Sequence, residues 1–129
     1  MEHVKSFREL EVYKLAREMA HEIYEETKKF PKEETYSLID QIRRSSRSIG
    51  AQIAEAWAKR GYKKHFISKM TDADGEQQET QHWIEMCIDC HYISHDKGTN
   101  WIEHCSSIGR MLNSIISKAD MFCRQVTDH

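Results

Sequence analysis

The chain has 129 residues, 31% of them charged, with one proline, five glycines and a formal net charge of −2. That length suits one domain over residues 1–129, burying roughly 65% of the unfolded surface, and so few turn formers exclude a many-stranded sheet in favour of long helices. No apolar run approaches the ~18 residues of a membrane span, and so small a net charge leaves any attraction to nucleic acid or lipid to a local patch.

Ser6 and Glu9 have capping-box spacing, and Leu10, Val12, Leu15, Ala16, Met19, Ile23 and Phe30 recur at helical intervals, predicting a first helix over about residues 7–29. Pro31 pushes Phe30 out of the α region and ends that helix before the connector PKEET. Residues 37–64 then read as the helix around which the chain is organised. At about 100° per residue, Leu38, Ile42, Ser45, Ile49, Gln52, Ile53 and Ala56 share a core-facing sector, and Ser45 and Ser46 let a neighbouring helix come close. Rotated away from it, Arg43, Arg47, Gly50, Ala51, Ala54, Ala58 and Gly61 form a band that begins basic and continues almost without side-chain bulk. Such a face is suited to contact. The helix should stop at Gly61-Tyr62, before Lys63 or Lys64 opens the next.

The third helix, over about residues 64–93, carries Phe66, Ile67, Met70, Ala73, Gln77, Gln81, Ile84 and Ile88, the most polar core stripe of the four. Ser94 to Gly98 reads as a turn and Thr99 as the next N-cap. The last helix places Trp101, Cys105, Ile108, Leu112, Ile115, Ala119, Cys123 and Val126 on one face. Four amphipathic helices with short connectors predict an all-α, up-down-up-down four-helix bundle.

The stretch FRELEVYKLAREMAHEIYEETKKFPKEETYSLIDQIRRSSRSIGAQIAEAWAK, continued in DADGEQQETQHWIEMCIDCHYIS, resembles a bacterial four-helix-bundle family. That family includes the proteins encoded in intervening sequences of 23S ribosomal RNA genes. The motifs that carry the resemblance are F-x-x-L-x-V-[YW], F-P-x-E-x-x-[YF], Q-I-R-R and I-A-E, within stretches that together cover most of the chain. Gly50, Gln52 and Ala56 stand where the family often has proline, asparagine and glycine. The resemblance implies a homo-oligomer, commonly a ring-like pentamer. It also implies kinship with the accessory protein of diversity-generating retroelements, which is associated with nucleic acid and a reverse transcriptase.

The basic residues Arg43, Arg44, Arg47, Lys59, Arg60, Lys63 and Lys64 are the nucleic-acid-binding candidates, because guanidinium forks and ammonium groups displace counterions from phosphates. Their competing reading is a solvated face in which Asp40 pairs with Arg44 and Glu55 with Lys59. Trp83, Met86 and Cys90 point away from the core sector of the third helix and, with Ala51, Ala54 and Ala58 of the second, are the candidates for an oligomer interface. Cys87-Ile88-Asp89-Cys90-His91 has the spacing of covalent haem attachment, and Glu18/His21 and Glu79/His82 have that of di-iron bundles. Both histidines point away from the predicted core, and haem attachment goes with export, whereas MEHVKSFREL carries no apolar signal segment. A haem or metal protein is therefore the remote alternative. No cofactor, metal site or catalytic group is expected. The readings that remain are a cytoplasmic, non-enzymatic oligomer that binds RNA or DNA with low specificity, and a protein-only scaffolding module.

Overall fold

The computed structural model describes residues 4–123, which contain four long helices, α1 (Glu11–Thr27), α2 (Leu38–Ala58), α3 (Lys63–Asp89) and α4 (His95–Ser117), and a short α5 (Ala119–Phe122). Short connectors force consecutive long helices to run antiparallel. Helices α1 and α3 each pack on both α2 and α4, while the diagonal pairs keep their backbones apart, as in an up-down-up-down bundle. Among the described residues no helix is long and apolar enough to cross a membrane.

The apolar stripes meet in the middle. Val12, Ala16, Met19 and Ile23 of α1 face Leu38, Ile42, Ile49, Ile53 and Ala56 of α2; Phe66, Met70, Ala73 and Ile84 of α3 close on Trp101, Cys105, Ile108 and Leu112 of α4. Ser45 is buried where expected, and its hydroxyl meets that of Thr80 at 2.9 Å, letting α2 and α3 approach closely. The polar stripe of α3 is satisfied from within: Gln81 donates to Gln77 at 2.9 Å, and Gln77 donates to Asp74 at 2.8 Å. A Cβ on Gly109 would lie 2.8 Å from the Gln77 amide nitrogen, so this network requires a bare backbone opposite it on α4.

Several expected boundaries move, each for a local reason. Ser6 accepts from the Arg8 amide at 3.2 Å and caps only a single 3-10 turn, Phe7–Glu9. Leu10 is extended there and buried, which folds Phe7 back onto the edge of Tyr13 and delays α1 to Glu11. Helix α2 stops at Ala58, so Lys59 and Arg60 lie in the turn. Helix α3 stops at Asp89 rather than near Ile93. His91 takes a left-handed φ of 62°, and the amides of His91 and Tyr92 return to the carbonyls of Ile88 and Cys87, a Schellman closure. That reversal aims Tyr92 at Glu34, to which it donates at 2.8 Å.

The N-cap of α4 is Ser94, which accepts from the Lys97 amide at 3.0 Å, and Thr99 falls inside the helix. Gly98 is therefore helical and buried, where any Cβ would collide with Ile88. Gln52 is half-buried at the edge of the α2 stripe, which Ile39 and Trp57 widen instead. The last stripe breaks at Lys118, after which α5 turns Ala119 and Cys123 inward. Val126 lies outside the described residues.

Candidate functional site

Two turns of α2 place Arg43, Arg44 and Arg47 along a surface groove that Thr35, Ile39 and Asp40 also line. Positions 43 and 47 are four apart and project from one side, where both guanidinium groups lie over the Tyr24 ring, at 4.6 and 5.1 Å from its centre. Arg43 is further tied down: its Nε donates to the Thr27 hydroxyl at 2.8 Å and a terminal nitrogen donates to the Tyr24 carbonyl at 3.3 Å. Arg43 thus closes the C-terminal end of α1, as a cation suits a helix C-terminus. Arg44 and Arg47 are exposed, and the expected Asp40–Arg44 pair does not form among the described residues.

The rest of the basic set sits at the far end of α2. Lys59 lies about 18 Å along the helix axis from Arg47, so the seven residues do not form one face. The expected Glu55–Lys59 ion pair gives way to Glu55–Lys69 at 2.9 Å, a contact that holds the Glu55 carboxyl below its usual range. Arg60 lies 3.8 Å over the Trp57 ring and donates to its carbonyl at 2.8 Å. Lys63 pairs with Asp120 at 2.6 Å, which raises its ammonium pKa, and Lys64 is exposed in the first turn of α3. Of the seven candidates, the groove unites Arg43, Arg44 and Arg47 alone.

The small-residue band continues from that groove into a second one between α1 and α2, lined by Ala51, Ala54, Gly50, Phe7, Tyr13 and Arg17 among others. Ala51 and Ala58 are exposed and Ala54 is half-buried. On α3, Trp83 and Met86 prove half-buried against the flank of the core rather than fully outward, and only Cys90 is exposed. The Trp83 indole donates to Glu79 at 3.0 Å and its ring meets His82 edge-on.

The haem-like spacing separates two unlike thiols. Cys87 is wholly buried, with its pKa pushed up to about 12 by desolvation, while Cys90 is exposed. Bonding both to one porphyrin would require unpacking the core beside Cys87. Cys105 is buried against the Met19 sulfur at 3.7 Å, and Cys123 is buried as well. His21 and His82 are exposed, so neither Glu-x-x-His pair faces the bundle centre.

Sequence reasoning missed Tyr24, the shared ring beneath Arg43 and Arg47, and Tyr36, which is 93% exposed on the connector beside Thr35. The signal for Tyr24 was slight: an aromatic one turn before the end of α1.

Residues 8–114 match the family model described as 23S rRNA-intervening sequence protein. The chain is also similar to a crystal structure of a protein of unknown function from the S23 ribosomal protein family of Bacteroides thetaiotaomicron VPI-5482. The two are 32% identical, the match covers 82% of this chain and 95% of that one, and the TM-score is 0.74. No curated protein matches the chain.

Proposed function

The chain belongs to the 23S rRNA-intervening sequence protein family, and from that premise we propose a non-enzymatic, cytoplasmic homo-oligomer that holds RNA or DNA with low sequence specificity on the arginine groove of α2. The observation that carries this reading is the pair of exposed guanidinium groups, Arg44 and Arg47, in a groove whose third arginine is fixed against Tyr24 and Thr27. Phosphate contacts of this kind are independent of sequence and weaken with salt. Repetition of the groove in each subunit, five times in the pentamer that the family resemblance implies, multiplies a weak patch by avidity. The oligomer surface in this reading comprises Ala51, Ala54 and Ala58 of α2 and Trp83, Met86 and Cys90 of α3. A protein-only scaffold is the alternative, favoured by the apolar floor that Phe7, Tyr13 and Ala16 give the adjoining groove.

Filter retention of labelled RNA at low and at physiological salt, run beside light-scattering mass, tests the proposal. Wild type should bind at low salt and lose most of that binding at physiological salt, as an oligomer. Arg44→Glu with Arg47→Glu should abolish retention without changing the mass. Arg43 is left intact because its loss would disturb the α1 terminus. Absence of wild-type binding at low salt would remove the nucleic-acid reading, and salt-insensitive capture of a protein partner would favour the scaffold.

A further inference from the structure

Five tyrosines are present, and four have an aromatic or cationic neighbour: Tyr13 against Phe7, Tyr24 beneath Arg43 and Arg47, Tyr62 beside His65, and Tyr92 against Phe30. Tyr36 differs. It is 93% exposed, and among the described residues no hydrogen bond or ring contact engages it. It follows Thr35, which lines the arginine groove, and stands just before the first turn of α2. Between Ile39 and Arg47 the groove follows about 12 Å of α2, and Tyr36 stands outside its lining, next to Thr35.

The two ends differ in chemistry. Arg44 and Arg47 supply guanidinium forks within the groove; toward its Thr35 end lies the Asp40 carboxylate in the first turn of α2, and Tyr36, next to Thr35, offers an exposed aromatic face beside the groove. A carboxylate repels phosphate but accepts hydrogen bonds from the amino groups of base edges. An acidic polypeptide would meet attraction at the arginines and repulsion at Asp40, and its carboxylates gain nothing from the ring. We infer that the occupant of this groove is a single-stranded nucleic acid, its phosphates on Arg44 and Arg47 and an unpaired base stacked on Tyr36. The inference rests on the reading of the groove as a nucleic-acid surface and adds which form it takes. Stacking needs a base with a free face, which a duplex does not present and a single strand does.

Fluorescence anisotropy with three labelled probes tests it: an oligoadenylate of about 16 nucleotides, a size within single-strand site lengths, its duplex with oligouridylate, and polyglutamate of matched charge. Wild type should bind the single strand more tightly than either other probe. Tyr36→Ala should weaken single-strand binding about tenfold while leaving its salt dependence and duplex binding unchanged, and Tyr36→Trp should retain it. Arg44→Glu with Arg47→Glu should instead flatten the salt dependence. Circular dichroism confirms that the exposed substitution leaves the helices intact. Single-strand binding that is unaffected by Tyr36→Ala, or matched by the duplex, overturns the stacking inference while leaving the groove a nucleic-acid surface. Binding of polyglutamate as tight as that of the strand assigns the groove to an acidic protein. Failure of every nucleic acid to bind at low salt overturns both readings.

Discussion

Arg43 and Arg44 are adjacent in sequence, yet one is anchored across the α1–α2 contact and the other extends into solvent. Removing Arg43 deprives the Thr27 hydroxyl oxygen of its donor and the Tyr24 carbonyl of one donor, the Thr27 hydroxyl remaining at 3.0 Å. Arg43→Ala should therefore lower the unfolding free energy by about 1–3 kcal/mol. Arg44→Ala should stay within about 0.5 kcal/mol of wild type. Urea denaturation of both variants checks this, and equal losses would contradict the assignment. Helical periodicity put Arg43 and Arg47 on one face, as they are, but it carries no information on the ring that another helix slides beneath them. The same limit explains Glu55, which spacing paired with Lys59 and the packing of α2 on α3 paired with Lys69.

At the scale of elements, the apolar period made all four helices and their order legible, because a core-facing stripe must be buried whatever its neighbours. The termini were less legible, since serine and threonine are interchangeable as caps and the choice between them is made by packing. Ser94 caps α4 because Gly98, read as a turn residue, is the point at which α4 crosses Ile88 of α3. Gly98→Ala should accordingly destabilise by about 1–3 kcal/mol. Trimming the obstacle with Ile88→Ala should make the two losses less than additive. Gly75, in mid-α3, is the control, because a methyl group there would meet nothing within 4 Å. Gly75→Ala should stabilise by about 0.5–1 kcal/mol. Thermal melts of the three variants and the double substitution decide this, and a stabilising Gly98→Ala would contradict the close approach.

For the whole molecule, two buried thiols and the Tyr92–Glu34 hydrogen bond set the response to pH. Desolvation pushes the thiols of Cys87 and Cys105 from 9.0 up to about 12, and the hydrogen bond to the Glu34 carboxylate pushes the Tyr92 hydroxyl from 10.0 up to about 12. The native state thus keeps protons that the unfolded chain releases, so their contribution is complete below pH 9 and drains as pH rises toward about 12. Glu34 works in the other direction: Ser37 and Tyr92 hold its carboxyl below 4.5, and its contribution is lost as pH falls through that lowered value. Melting temperature under reducing conditions should fall from pH 9 upward, and Cys105→Ala should make that fall shallower; a flat alkaline limb would contradict the burial of these protons. The bundle and its core were legible in the sequence at this scale, but the site was so only in part. Seven basic residues read as one surface resolve into a three-arginine groove and a separate cluster around the α2–α3 turn.

The claim on which the functional account turns is that nucleic acid lies along the groove from Thr35, beside Tyr36, to Arg47. Photocrosslinking of 4-thiouridine-substituted single-stranded RNA to the wild-type oligomer at low salt, followed by mass spectrometry of the crosslinked peptides, tests it directly. The account predicts crosslinks confined to the connector around Tyr36 and the first half of α2. Crosslinks concentrated instead at the Lys63–Lys64 end or on α4, or their absence at low salt, would contradict it.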